Sequence, residues 1–294
     1  MYDIIIIGAG PAGLTAAIYA ARAGKKVLVC EKEGIGGQIA TSPKVENYPG
    51  FRCISGTELA DNLYEQAVSF GVEIEFETVE SIKDNGDTKT VVTEYGEKEC
   101  KKVIIATGVR HKKLGLPEEE DYEGRGVSYC AICDGAFFKN RPVAVVGGGN
   151  AALRSAQFLA GMCEKVYLIH RRNEFRGDTM TVNEVRALPN VEFILDSVVS
   201  SLHGNGDLSS VTVKNVKTDA SVNIDVSALF VCVGQIPSND AFKDTVLLDE
   251  NGYIVAGEDC KTSVPGIFAA GDCRTKSIRQ LTTAAADGAV AALA

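Results

Sequence analysis

At 294 residues, 45% of them apolar, the chain has room for about two domains and the core to fill them. A formal net charge of −9 argues against nucleic acid or an anionic membrane as partner, because phosphate binding needs concentrated positive charge. The apolar run Ile4 to Ile7 is too short for a signal core or a membrane span. Nine cysteines, an odd number with no leader in view, fit a soluble protein of the reducing cytoplasm.

In chain order, Tyr2 to Ile7 reads as a strand buried on both faces, as in an inner parallel strand. A glycine turn follows, then a helix with Leu14, Ala17, Ile18 and Ala21 on one face, closed by Gly24. Val27 to Cys30 is the next strand and ends at Glu31, which completes a βαβ unit. Ser55 with Glu58 has capping-box spacing and opens a helix with Leu59, Leu63, Ala67 and Phe70 inward, stopped by Gly71. Val72, Ile74 and Phe76 alternate like a half-buried strand. Asn85-Gly86 is a hairpin turn, and Val103 to Ala106 a buried strand running into Gly108. The acidic run Glu118 to Asp121 reads as solvated surface. The pattern then restarts: strand Pro142 to Val146, a second glycine turn, and a helix bearing Leu153, Ala156, Leu159 and Ala160. Strand Val166 to Ile169 follows, with a hairpin at Asn205-Gly206 and strand Leu229 to Val233. The fold class is therefore α/β, with two similar Rossmann-like, three-layer nucleotide-binding halves. A last segment, from about residue 240, ends in an alanine-rich helix.

The two glycine turns differ in charge. Gly8-Ala9-Gly10-Pro11-Ala12-Gly13 fits GxGxxG between strand and helix. Its glycines permit the tight turn, the approach of a pyrophosphate and close helix packing, and the helix N-terminus faces the phosphates. Glu31 is placed to bind a ribose 2′-hydroxyl. The second turn, Gly147-Gly148-Gly149-Asn150-Ala151-Ala152, is followed by His170-Arg171-Arg172 and Arg176 where an acid is expected. Arginines pair with a 2′-phosphate that an acid would repel, so this site suits NADPH rather than NADH. Two dinucleotide sites in one chain are most economically a flavin and a nicotinamide site, which leaves FAD for the first. Asp272, ending Gly266-Ile267-Phe268-Ala269-Ala270-Gly271-Asp272, sets a carboxylate where it could bond the flavin's ribityl and pyrophosphate region.

Cys130-Ala131-Ile132-Cys133 is the single CxxC, a spacing suited to a disulfide that opens and closes, often with one thiol acidified. Asp134 beside it could carry the proton, and Gly135 adds backbone freedom. Half a zinc site is the rival reading, but there is no second CxxC and the three histidines lack ligand spacing. No metal is expected. The other seven cysteines, scattered singly, read as inert buried thiols.

Together these motifs resemble the low-molecular-weight thioredoxin reductases of bacteria, from Tyr2 to the C-terminus and in the same order, with the CxxC just before the first strand of the NADPH half. The resemblance implies further flavin contacts at Gly37 and Gln38 (in Gly36-Gly37-Gln38), Asn47 (in Glu46-Asn47-Tyr48-Pro49-Gly50), Arg279 and Gln280. It implies a homodimer whose FAD domain is split between residues 1–112 and 240–294, with an NADPH domain of residues 113–239 inserted. It implies Cys130 and Cys133 as the redox pair, with Cys133 flavin-proximal, Asp134 as acid–base residue, and thioredoxin or a thioredoxin-like protein as acceptor. One departure is plain: where the family carries Glu-Glu-Ala after its second turn, this chain has Arg154-Ser155-Ala156. That favours, as a rival, a ferredoxin-fed flavin thioredoxin reductase, which the basic triplet opposes. Another disulfide acceptor, or a nucleotide-binding redox sensor that changes state once and stops, also fits these residues.

Overall fold

The computed structural model describes residues 1–42 and 44–294. They form two compact units, one of residues 1–110 with 236–294 and one of residues 111–235.

In the first unit the central strand is Tyr2–Ile7. It pairs in parallel with Val27–Glu31 on one side and with the second half of Gly96–Ile105 on the other. Glu73–Phe76 and Ile267–Ala269 extend the parallel sheet at its two ends. A strand flanked on both edges and both faces has no polar side, which is why Ile4 to Ile7 run without alternation. Ile4 and Ile6 face the helices Pro11–Arg22 and Leu281–Leu293 through Leu14, Ala16 and Ala291. Ile5 and Ile7 face the other way, onto Ile82 and Val91 of an antiparallel pair and onto Phe242. That pair, Val79–Asp84 and Lys89–Thr93, turns at Asn85-Gly86, where Gly86 takes φ +83°.

The first helix starts with Pro11, whose missing N–H costs nothing in the first turn, and ends at Ala23 before left-handed Gly24. Ser55 Oγ accepts the Glu58 amide at 3.1 Å and caps the helix Gly56–Ser69. Two expected core residues lie outside. Phe70 has passed the end of that helix as its C-cap, and Phe76 closes an edge strand, so both are exposed.

The second unit repeats the plan. Its parallel sheet runs Val191–Ile194, Lys165–Ile169, Pro142–Val146, Ala228–Val231, Val127–Ser128. Val143 and Val145 pack on Leu153, Ala156 and Leu159 of the helix Asn150–Ala160. Ala144 and Val146 face Val199, Val211 and Val213 of the antiparallel sheet Ser197–Asn205, Asp207–Asn215, Ser221–Asp225. Leu153 and Leu159 are fully buried, each contributing roughly 1.5–3 kcal/mol of apolar transfer. In both units the glycine turn falls at the carboxyl ends of the parallel strands, where open α/β sheets bind ligands.

The acidic run is not uniformly solvated. Glu119 is 1% exposed, because its carboxylate accepts the Leu114 and Gly115 amides and the Tyr129 hydroxyl, each at 2.9 Å. Three donors meeting at one point offset the cost of burying it. Among the described residues no helix is long and apolar enough to cross a membrane.

Candidate active site

The first turn is set by close approach. Gly8 takes φ +109°, and a Cβ there would lie 2.5 Å from the Ala106 carbonyl; a Cβ on Gly13 would lie 1.9 Å from the Gly8 carbonyl. Any side chain would drive strand and helix apart. Over Gly10 the space is open, its nearest neighbour being the Gly36 carbonyl at 3.9 Å. That leaves a pyrophosphate room beside the helix N-terminus opened by Pro11 and Ala12. Glu31 ends its strand, buried, and is already engaged: Oε2 accepts the Ala9 amide at 2.7 Å and Oε1 those of Glu33 and Gly34. It staples the turn to the loop beyond the strand, and Oε2 keeps a lone pair for a ribose hydroxyl.

The remaining first-unit residues lie around this turn. A Cβ on Gly37 would sit 3.6 Å from Gly10 Cα. Gln38 donates to the Val109 carbonyl, and Asn47 Nδ2 donates to Gln280 Oε1 at 3.3 Å. Gln280 in turn caps the last helix. Arg279 lies over the Tyr253 ring at 4.3 Å and donates to the Asp272 carbonyl. Asp272 Oδ1 is buried without a hydrogen-bond partner among the described residues. Burial raises the Asp272 pKa against the opposing pull of Lys276 and Arg279. A buried acceptor left open needs a donor, and the ribityl hydroxyls of FAD are such donors. These residues therefore fit FAD.

Sequence patterning does not single out what holds Asp272. Asp287, on the last helix, accepts Arg274 Nε and Nη2 and Lys276 Nζ, each at 2.8 Å, and the Gly271 amide at 2.9 Å. Burial pushes its pKa up, but these partners prevail and hold it below the ordinary carboxylate range. A lone acid in an alanine-rich helix was the one signal available.

In the second unit Gly147 takes φ +152°, with the Cys232 carbonyl where a Cβ would go, and a Cβ on Gly149 would meet nothing within 4 Å among the described residues. Gly149 is the N-cap of the helix begun by Asn150 and Ala151. The basic loop is tied across this turn: the Arg176 amide donates to the Gly148 carbonyl, and the Asp178 amide to Asn150 Oδ1, both at 2.8 Å. Arg171, Arg172 and Arg176 are exposed and make no ion pair among the described residues. A loop of exposed arginines whose backbone is tied across a helix N-terminus fits a phosphate. His170 is placed differently. Its ring is buried over Gly148, stacks on Phe175 and meets the Glu174 carbonyl at 3.0 Å, and burial lowers its pKa. It shapes the loop from beneath instead of facing outward with the arginines. Arg154 is exposed and makes no ion pair among the described residues, whereas Ser155 Oγ accepts the Cys232 thiol at 3.5 Å.

Cys130 and Cys133 are joined by a disulfide, with Cys130 half-buried and Cys133 exposed. Cys130 caps the short helix Ala131–Asp134, and the Cys133 amide points at Cys130 Sγ from 3.2 Å. Ser128 Oγ donates to Asp134 Oδ2 at 2.6 Å and accepts the Cys130 amide at 3.1 Å. Burial raises the Asp134 pKa, with Ser128 opposing. The pair thus has an amide ready to stabilise one thiolate and a carboxyl disposed to hold a proton. Gly135 does not supply freedom: it is ordinarily right-handed, and a Cβ there would strike Leu159 at 2.8 Å, so its role is close packing. Of the other seven cysteines, Cys53 is exposed and departs from the expectation of burial; Cys232 is half-buried. Among the described residues no group of three or more His, Cys, Asp or Glu side chains is gathered as for a metal ion.

Residues 2–288 match the model of the pyridine nucleotide-disulphide oxidoreductases. A thioredoxin reductase of Listeria innocua is 44% identical over 293 residues, 99% of this chain and 92% of that one. A 34.2 kDa protein in the rubredoxin operon of Clostridium pasteurianum is 43% identical over 292 residues, 99% and 95% of the two chains. The crystal structure of thioredoxin reductase from Streptococcus pyogenes superposes with a TM-score of 0.96 at 45% identity, over 100% of this chain and 96% of that one.

Proposed function

The chain belongs to the pyridine nucleotide-disulphide oxidoreductase family, and from that premise we propose that it is a thioredoxin-disulfide reductase using FAD and NADPH. The observation that carries the reading is the Cys130–Cys133 disulfide, with the Ser128–Asp134 hydrogen bond beside it, in a chain with two dinucleotide turns of opposite charge.

When bound, NADPH and FAD together supply the two electrons that open the disulfide. On the first unit Gly8, Gly10 and Gly13 give the pyrophosphate its approach, Glu31 meets the ribose, and Asp272 offers its open oxygen to the ribityl chain. Gly37, Gln38, Asn47, Arg279 and Gln280 enclose that site. On the second unit Gly147, Gly149, Asn150 and Ala151 cradle the other pyrophosphate, and Arg171, Arg172 and Arg176 select the 2′-phosphate. His170 supports them from below.

Opening Cys130–Cys133 takes two electrons and two protons. The Cys133 amide favours the thiolate at Cys130, which makes Cys130 the attacking sulfur. Its attack on the thioredoxin disulfide forms a mixed disulfide and releases one acceptor thiolate, to which Asp134 gives its proton. Cys133 then displaces the second acceptor sulfur, which takes up the Cys133 proton, and restores the Cys130–Cys133 bond, so that two electrons and two protons leave the enzyme. The reading includes a homodimer, which the family resemblance supports, and a reducing cytoplasm, which the odd set of nine cysteines supports.

The test is an anaerobic titration of the yellow protein with NADPH and, in parallel, NADH, followed by addition of oxidised thioredoxin. Flavin bleaching at low NADPH but not at low NADH, with re-oxidation by thioredoxin over many turnovers, is expected. Thioredoxin that stays oxidised while a small disulfide is reduced would sink the acceptor assignment.

A further inference from the structure

Strand Val127–Ser128 pairs with Ala228–Val231 only as far as Ser128, so the backbone of Cys130 lies two residues beyond the last sheet partner. Its carbonyl accepts the Asp134 amide at 3.1 Å, and side chains hold the segment from its two flanks. On one side Ser128 bridges the Cys130 amide and Asp134. Tyr129, the next residue, points to the opposite side, as alternation along an extended segment requires. Its hydroxyl donates to Glu119 at 2.9 Å, and its ring stacks on His111 with centroids 5.1 Å apart. Glu119 is itself held at 1% exposure by the Leu114 and Gly115 amides. Burial and the Glu119 carboxylate keep the Tyr129 hydroxyl protonated, as a donor to a carboxylate must be.

We infer that Glu119 and Tyr129 are positioning residues for the redox pair: their buried hydrogen bond clamps the segment carrying Cys130 and so sets how readily the Cys130–Cys133 disulfide opens. The inference rests on the redox reading of that pair. A disulfide is favoured over its dithiol to the extent that the fold holds the two sulfurs together. Releasing one side of Cys130 lowers their effective concentration and shifts the balance toward the dithiol. Losing one bond to a buried carboxylate corresponds to roughly a tenfold shift, or a potential about 30 mV less negative.

The experiment equilibrates the full-length flavoprotein in glutathione buffers and counts the free thiols of Cys130 and Cys133 by alkylation and mass spectrometry. Tyr129→Phe keeps the ring on His111 and removes the hydroxyl, and Glu119→Gln weakens the same clamp from the other end. Tyr122→Phe is the control, since it deletes a tyrosine hydrogen bond in the same segment, to the Gly204 carbonyl at 3.1 Å, without touching the pair. About a tenfold shift toward dithiol in Tyr129→Phe or Glu119→Gln, with Tyr122→Phe at the wild-type balance, is expected. Wild-type balance in both clamp variants, whatever their melting points, overturns the inference while leaving the redox reading intact. A wild-type pair that no buffer opens overturns both, and is told apart because the failure is already present in the unmutated protein.

Discussion

Asp287→Asn tests how the flavin half of the chain is held together. Asp287 is 5% exposed and its carboxylate faces two cations, Arg274 at 1% exposure and Lys276, through three contacts of 2.8 Å. It also receives the amide of Gly271, which precedes Asp272. The isosteric amide keeps the shape but removes the charge, leaving Glu258, whose side chain is 92% exposed, as the one carboxylate among the described residues still paired with Arg274. Uncovering buried cations in this way costs about 3–5 kcal/mol. For a unit of this size each kcal/mol lowers the melting midpoint by roughly 2–4 °C, so the variant should melt about 6–20 °C lower at neutral pH, by circular dichroism. The sign with pH follows from the depressed Asp287 pKa. Its contribution is complete above the unfolded carboxyl value of about 4 and is lost as pH falls through the lower folded value. The gap between wild type and variant should therefore narrow in acid. Glu258→Gln, removing a carboxylate that is itself 92% exposed while Asp287 stays on Arg274, should cost under about 1 kcal/mol. An Asp287→Asn variant that melts with the wild type would refute the argument, and so would a gap that widens on acidification.

Other expectations follow from the second unit. Replacing Arg171 and Arg172 together by Ala should weaken NADPH binding roughly 100-fold, about 3 kcal/mol for two charged contacts. NADH binding should change little, with both read from flavin absorbance during anaerobic titration; equal losses for the two nucleotides would contradict the 2′-phosphate assignment. Asp134→Asn should slow turnover with thioredoxin by at least about 100-fold. The wild-type rate should fall as pH rises through the raised Asp134 value, because the protonated form is the one used. That limb should be missing from the pH profile of the variant, and a limb that persists would assign the proton to another group.

Much of the fold was legible because it depends on local pattern. The unbroken apolar run from Ile4 to Ile7 requires a strand covered on both faces, and each glycine turn lies between a strand and a helix as its spacing demands. Asn85-Gly86 and Asn205-Gly206 both turn hairpins, since a left-handed turn is a local property. Cys130 and Cys133, three residues apart, have the spacing of a disulfide, and with no second CxxC the zinc reading of that spacing falls away.

Tertiary structure decided which charges face water and which are consumed inside. Glu119 looks like its neighbours Glu120 and Asp121, but only it meets the Leu114 and Gly115 amides and Tyr129, and no local rule records that meeting. His170 reads as part of a basic triplet, yet the space above Gly148 takes its ring out of solvent. Gly135 reads as a hinge, and packing against Leu159 makes it a spacer. Asp287 is an isolated acid in an apolar helix until the fold brings Arg274, Lys276 and the Gly271 amide to it. Periodicity and turn chemistry act over a few residues, so the sequence by itself sets elements and glycine turns. The partners of a buried charge come from distant segments, and only the folded chain brings them within hydrogen-bond reach.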